Sequence, residues 1–304
     1  MKVATLGPAG TFSQLAAEKF ADTSEPNSLR HAARSPDDEL TPDAKTTPNI
    51  ETTPNTETTP DTEIKLYSHL QRCLQALPDE AERVVVPLEN VSEGFVPIVL
   101  DYLVSANIHI CQELHLPIAF DACAQVQDAA QITRLYVQFV ARGQCREFID
   151  RLGDIEIIAT QSNTESLHLA EAYGAGAAAI IPAHFSEQVG AQMTWRQQQV
   201  QDYAHNETRF VMLAQGEIPS DARGTKTSIM VINDDDRPGL LEKVLHCFST
   251  RKLNLSSIVS RPTGEAFGRY HFFIDVQCDI HNIAMQGALK AVAEISRLKV
   301  LGCY

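Results

Sequence analysis

The sequence predicts an α/β protein. Short apolar runs of strand length alternate with helical segments over most of its 304 residues. The last 80 residues, 225–304, carry the order β-α-β-β-α-β, the ferredoxin-like arrangement. Between 22 and 62 neither pattern is present, which marks that stretch as an insertion. The length suffices for two domains with cores of their own.

The elements follow in order. Residues 3–6 are a short apolar strand ended by Gly7-Pro8, and 13–20 a helix. The hexads Thr46-Thr47-Pro48-Asn49-Ile50-Glu51, Thr52-Thr53-Pro54-Asn55-Thr56-Glu57 and Thr58-Thr59-Pro60-Asp61-Thr62-Glu63 are polar and proline-bearing. They bury too little to offset ordering entropy, so a disordered insertion is expected. A helix at 67–77 and a buried strand at 83–86 follow, then a helix at 96–106 and a strand at 108–116. Next come a strand at 135–137, a helix at 144–152 and a strand at 155–159. A helix at 164–173 and a buried strand at 177–181 complete that series. Phe210-Val211-Met212-Leu213 reads as one more strand, and 216–224 as a polar link. The terminal unit has strands at 227–232, 255–261, 270–276 and 300–301, with helices at 240–251 and 283–295.

The net charge of −14 argues against nonspecific binding to nucleic acid or to an anionic membrane surface. From Asp22 to Glu63 ten acids face Arg30, Arg34 and Lys45, so half of that excess sits in the insertion. An anionic substrate therefore stays open. Seven dispersed cysteines without Cys-x-x-Cys or zinc spacing fit free thiols in a cytoplasmic protein. The N-terminus lacks the apolar core of a signal peptide, and no run has membrane-helix length.

Three turns follow strands, where α/β proteins place ligands. Gly7-Pro8-Ala9-Gly10-Thr11-Phe12-Ser13 opens a helix whose free N–H groups suit an anion. Pro87-Leu88-Glu89-Asn90-Val91-Ser92-Glu93-Gly94 is a second polar turn, and Thr160-Gln161-Ser162-Asn163-Thr164 a third. Asn206-Glu207-Thr208-Arg209-Phe210 enters the 210–213 strand. On a strand Thr208 and Arg209 project to opposite faces. Thr208 offers a hydroxyl donor, and Arg209 a planar fork that fits a carboxylate.

Taken together, these motifs resemble the prephenate dehydratase family and occur in its order. The last unit resembles an ACT domain through Arg237-Pro238-Gly239-Leu240-Leu241, Asn254-Leu255, Ser260-Arg261-Pro262 and the aromatic strand Tyr270-His271-Phe272-Phe273. The resemblance implies a periplasmic-binding-protein-like catalytic domain of two α/β lobes over 1–216, carrying the insertion 22–63. An ACT regulatory domain over 225–304 would follow. It implies prephenate as substrate, lost as CO2 and water to leave phenylpyruvate, with no cofactor and no metal. Thr208 is then the catalytic donor, assisted by Arg209. Thr11, Phe12, Ser13, Glu89, Asn90, Ser92, Gly94, Ser162, Asn163, Thr164 and Phe210 are expected around the substrate. L-Phenylalanine is expected at Pro238, Gly239, Leu240, Leu241, Asn254, Ser260, Arg261 and Pro262, in a homodimer or homotetramer. Several family positions differ. Val91 replaces Ser or Thr, Val137-Gln138-Phe139-Val140 replaces Ser-His-Pro-Gln, and Phe120 stands where His is common. Other readings on the same scaffold are a non-aromatising prephenate decarboxylase, an arogenate dehydratase, or a non-catalytic phenylalanine-binding protein.

Overall fold

A computed structural model describes residues 1–22, 62–232 and 237–304. The proline-rich hexads thus lie outside the described residues, apart from Thr62 and Glu63.

The first lobe contains β1 (Lys2–Leu6), α1 (Phe12–Asp22), β2 (Glu63–Tyr67), α2 (Leu70–Leu74), β3 (Arg83–Asn90), β4 (Gly94–Phe95), α3 (Pro97–Ser105) and β5 (Ile108–Pro117). The second contains β6 (Phe120–Ala124), β7 (Arg134–Gln138), α4 (Phe139–Gln144), α5 (Arg146–Arg151), β8 (Glu156–Thr160), α6 (Asn163–Tyr173), β9 (Ala177–Pro182) and β10 (Trp195–Gln197). The chain then returns, and β11 (Glu207–Gln215) inserts between β3 and β5. The sheet orders are β2-β1-β3-β11-β5 and β10-β6-β9-β7-β8. Two chain crossings therefore join the lobes, and Ile118 N–H donates to Asn206 O at 2.8 Å between them. Asn206 and Thr208 sit at this crossing because they begin the returning strand.

The C-terminal domain contains β12 (Thr227–Ile232), α7 (Leu240–Ser249), β13 (Leu255–Pro262), β14 (Tyr270–Val276), α8 (Ile283–Ile295) and β15 (Arg297–Cys303). Its antiparallel sheet has the order β13-β14-β12-β15. One sheet face packs on α7 and α8 through Ile229, Val231, Val244, Phe248 and Val292. The other face, with Met230, Phe273 and Leu301, joins the first lobe's core of Leu100, Leu103, Ile110 and Val211. Both faces are thereby removed from water, the main source of stability in such a sheet.

Several boundaries move. Asp22 belongs to α1 and Glu63 to β2, so the insertion is bounded by paired structure; Glu63 N–H bonds Met1 O. The expected 67–77 helix is the end of β2 followed by the short α2. Pro87–Asn90 continues β3 instead of turning, and the reversal falls at Val91–Glu93. The expected 144–152 helix breaks at Cys145, whose φ of −127° is non-helical, giving α4 and α5. β6 and β10 have no counterpart in the expectation. β6 carries Asp121, which reads as a turn residue, but its carboxylate accepts from Ser186 and from Gln199 N–H.

Candidate active site

Alternation along β11 sorts its side chains. Phe210 and Met212 pack beneath α1 with Val3, Ala16 and Phe20. Val211 and Leu213 face the C-terminal sheet. Thr208 shares the first face, toward the cleft, and Arg209 the second. Leu88 is the extra residue of a bulge beside them: Arg209 pairs with Glu89 and Phe210 with Pro87.

A cavity of about 770 Å³ lies between the lobes. Pro87, Asn90, Glu93, Val96 and Thr208 line it from the first lobe. Phe139, Val140, Arg142, Gln144, Arg146 and Ile149 line it from the second. Thr208 is 8% exposed, and a buried hydroxyl needs partners. Asn90 supplies one: its Nδ2 donates to Thr208 Oγ1 at 2.9 Å, and also to Asn206 Oδ1 at 2.8 Å. Asn90 Oδ1 accepts from Ser92 N, Ser92 Oγ and Glu93 N. Among the described residues nothing accepts the Thr208 proton. The hydroxyl is therefore poised to donate into the cavity, and accepting a bond makes it a better donor.

Arg209, expected as a carboxylate clamp, is absent from the cavity lining. Its guanidinium turns away from the cavity and is spent within the protein. Nη1 donates to Asp275 Oδ2 and lies 3.7 Å from Glu89; Nη2 donates to Tyr304 Oη at 2.8 Å. Nε sits 2.7 Å from Glu113 Oε2, in an ion pair too bent for a hydrogen bond. Ser228 Oγ bonds both Asp275 and Tyr304. Burial opposes the Arg209 charge, and Tyr304 and Asp275 outweigh it, leaving its pKa raised. Burial raises the Tyr304 phenol, against the pull of Arg209. Burial likewise pushes the Glu89 carboxyl up, while Arg209 draws it down.

Other expected residues are placed differently. Phe210 is core, 2% exposed. Phe12 packs edge-on to Phe120 and His184 of the second lobe, with centroids 5.6 and 4.9 Å away. Thr11 Oγ1 donates to Leu6 O and accepts from Gln14 N–H, closing the start of α1. The buried Ser13 presents its carbonyl to Thr5. Thr164 Oγ1 donates to Ala9 O across the lobes at 2.6 Å, while Ser162 caps α6 by accepting from Glu165 N–H. Asn163 Oδ1 is buried without a partner. The first and third turns thus clasp each other, and the lining of the cavity includes neither. Ser92 braces Asn90, and Gly94 supplies the positive φ of +80° that its turn requires.

In the C-terminal domain β12 and β13 both run antiparallel to β14, so their ends share one edge of the domain. That places Pro238, Gly239, Leu240 and Leu241 at the same end as Ser260, Arg261 and Pro262. Leu240 is a core residue there. Asn254 is at the opposite end of β13, bonded to Gln277, so one chain does not bring it to the others. Arg261 forks onto Asp101 of α3 at 2.6 and 2.7 Å, an ion pair to the first lobe.

Sequence reading missed Arg142, Gln144 and Arg146. Arg142 and Arg146 are four residues apart, and that spacing was the available signal.

Two lobes joined by a double crossing, with a cavity between them and a terminal β-α-β-β-α-β unit, define a periplasmic-binding-protein-like enzyme fold with an ACT domain. The family profile "Prephenate dehydratase" matches residues 51–218, and "ACT domain" matches 227–294. The chain belongs to the prephenate dehydratase family, whose members are lyases. Prephenate dehydratase of Bacillus subtilis is 28% identical over 100% of this chain and 98% of its own. That of Mycobacteroides abscessus is 30% identical over 75% of this chain and 74% of its own. A prephenate dehydratase structure from Arthrobacter aurescens, in complex with L-Phe, shares the fold at a TM-score of 0.72. It is 24% identical, with 99% of this chain and 89% of that chain covered. No helix among the described residues is long and apolar enough to cross a membrane.

Proposed function

We propose that this chain converts prephenate to phenylpyruvate. The observation that carries the reading is the Thr208 hydroxyl, which accepts from Asn90 and keeps its own proton free toward the cavity. Thr208 donates to the departing ring hydroxyl while the ring carboxylate leaves as CO2; aromatisation drives both losses. One preorganised donor of this kind contributes roughly 3–4 kcal/mol in the transition state. Arg142 and Arg146 replace Arg209 as clamps for the two carboxylates. Neither guanidinium is paired with another side chain among the described residues, and both line the second-lobe wall. Phe139, Val140 and Ile149 supply the apolar surface for the ring.

L-Phenylalanine is the effector, bound where Pro238-Gly239 and Ser260 share one end of the C-terminal sheet. The complex of the Arthrobacter aurescens relative with L-Phe supports this. The domains span 1–216 and 225–304, and the enzyme works in the cytoplasm as a homodimer or homotetramer.

Incubation with prephenate, following phenylpyruvate and CO2, tests the reading. CO2 without an aromatic product indicates a non-aromatising decarboxylase. Faster turnover of arogenate makes it an arogenate dehydratase. Neither product, with phenylalanine bound, leaves a binding protein. Inhibition by phenylalanine that survives Pro238→Ala/Ser260→Ala undiminished removes the effector assignment.

A further inference from the structure

His109 and Cys111 lie two residues apart on β5, the strand at one edge of the first-lobe sheet. The ladder to β11 skips there. Met212 pairs with Gln112 and Leu213 with Ile110, so Cys111 is the extra residue of a bulge. A bulge re-aims the side chain it carries. The Cys111 sulfur lies 3.5 Å from His109 Nε2, within reach of a hydrogen bond that involves sulfur. The His109 ring is 7% exposed, and its other nitrogen, Nδ1, meets the Gly216 carbonyl at 3.0 Å. A carbonyl oxygen can only accept, so Nδ1 carries the proton. In the neutral ring Nε2 then has a free lone pair, and the Cys111 thiol donates to it. Gly216 is itself held, since its N–H donates to Asn107 O at 2.9 Å. A backbone carbonyl thereby orients an imidazole, and the imidazole holds a thiol proton. Nucleophile, base and orienting group stand in the order that activates a nucleophile.

The lining of the cavity between the lobes includes neither residue. Five of the seven cysteines are buried, and only Cys111 and Cys278 are partly exposed. Burial, and then the neighbouring Asp279, push the Cys278 thiol up, and among the described residues no ring nitrogen bonds its sulfur. Burial also pushes the Cys111 thiol up, while the Arg83 guanidinium draws it down. A thiol that rests protonated attacks only when a base takes its proton as the new bond forms, and His109 Nε2 is placed to take it. We propose that Cys111 is a thiol-modification site, activated by His109, that takes a small disulfide. The Cys111 proton passes to His109 Nε2 as the sulfur attacks one sulfur of the disulfide. The bond from Cys111 to that sulfur forms, and the S–S bond of the small molecule breaks. The departing sulfur recovers the proton from Nε2 and leaves as a thiol. Cys111 is oxidised, the small disulfide is reduced, and no further reactant is needed.

Oxidised glutathione is the probe, applied to the whole native chain. Neither measurement involves prephenate turnover. Mass spectrometry of peptides follows the adduct at each cysteine with time. Each rate is divided by that of the same cysteine in the urea-unfolded chain, which removes differences of local sequence. The normalised rate of Cys111 should exceed that of Cys278 at least about tenfold, a modest share of what a positioned base supplies. His109→Gln keeps a donor for the Gly216 carbonyl but has no basic nitrogen. It should slow Cys111 at least about tenfold. A purely structural role for His109 predicts the opposite, because loosening this edge exposes the thiol and speeds its modification. The comparison of Cys111 with Cys278 in the parent decides the matter even where His109→Gln does not fold. A normalised rate for Cys111 no greater than that for Cys278 overturns the proposal. So does a Cys111 rate in folded His109→Gln equal to or above that of the parent.

Discussion

Thr208 and Arg209 are neighbours with unrelated duties. Thr208 has a hydroxyl whose lone pair is occupied by Asn90 and whose proton is free. Thr208→Ala should lower kcat at least about tenfold with little change in melting temperature, since it removes one small donor at the cavity wall. Asn90→Asp is the sharper probe. It replaces the donor facing Thr208 with an acceptor, so the hydroxyl proton turns inward. Its kcat should fall as far as that of Thr208→Ala, and combining the two changes should add little. Steady-state rates with prephenate check both. The place of Thr208 at the mouth of a strand was legible in the sequence, because a hydroxyl just before a continuous apolar run is a local signal. The role of Arg209 was not. Its charge suits a clamp equally well, and only the partners Asp275, Glu113 and Tyr304 show where it is spent.

The strand β11 makes this division at the scale of an element. It is the returning strand of the double crossing, buried along 208–214 and flanked on both sides. Its apolar run was visible, since Phe210-Val211-Met212-Leu213 is continuous. The pairing of β3 beyond Pro87 was hidden, because Pro, Glu and Asn all read as turn formers; the ladder to β11 overrides that tendency. The first turn shows a similar shift in role. Gly10 has φ +82°, and an added Cβ would lie 2.7 Å from the Phe185 ring of the second lobe. Gly10→Ala should therefore destabilise the protein by about 1–3 kcal/mol, through strain and overpacking, as read from urea denaturation. A loss of a few tenths would mean that this turn does not hold the lobes together.

Across the whole molecule the C-terminal sheet closes the first lobe's core on one face and carries its own helices on the other. Asp275 is fully buried and faces Arg209, the residue next to the donor. Asp275→Ala leaves a buried guanidinium short of a partner and should cost about 3–5 kcal/mol in chemical denaturation. Lys226 to Glu113 and Arg261 to Asp101 reinforce the same interface. Alkaline pH tests the cores. Burial pushes the thiols of Cys73, Cys123 and Cys145 up to about 12. A raised folded pKa means that the unfolded chain loses these protons first, from about pH 8.5. Their contribution is complete below that value and is lost as pH rises toward about 12. Unfolding free energy should decline from about pH 8 to about pH 10, and Cys123→Ala should show a smaller decline.

Read without a structure, the chain specified its α/β class, the C-terminal β-α-β-β-α-β order and the place of Thr208 at the start of a strand. Each is written in local periodicity or in residues close together along the chain. Tertiary structure decided that Arg209 serves the domain interface, that the first and third turns clasp each other, and that Gln144 faces the cavity. These depend on which groups meet across lobes. Asn90 and Asn206 are 116 residues apart, and Arg209 and Asp275 are 66 apart. The polarity of a buried amide, or the fate of a buried charge, is set by such distant partners and has no signature in the residue itself.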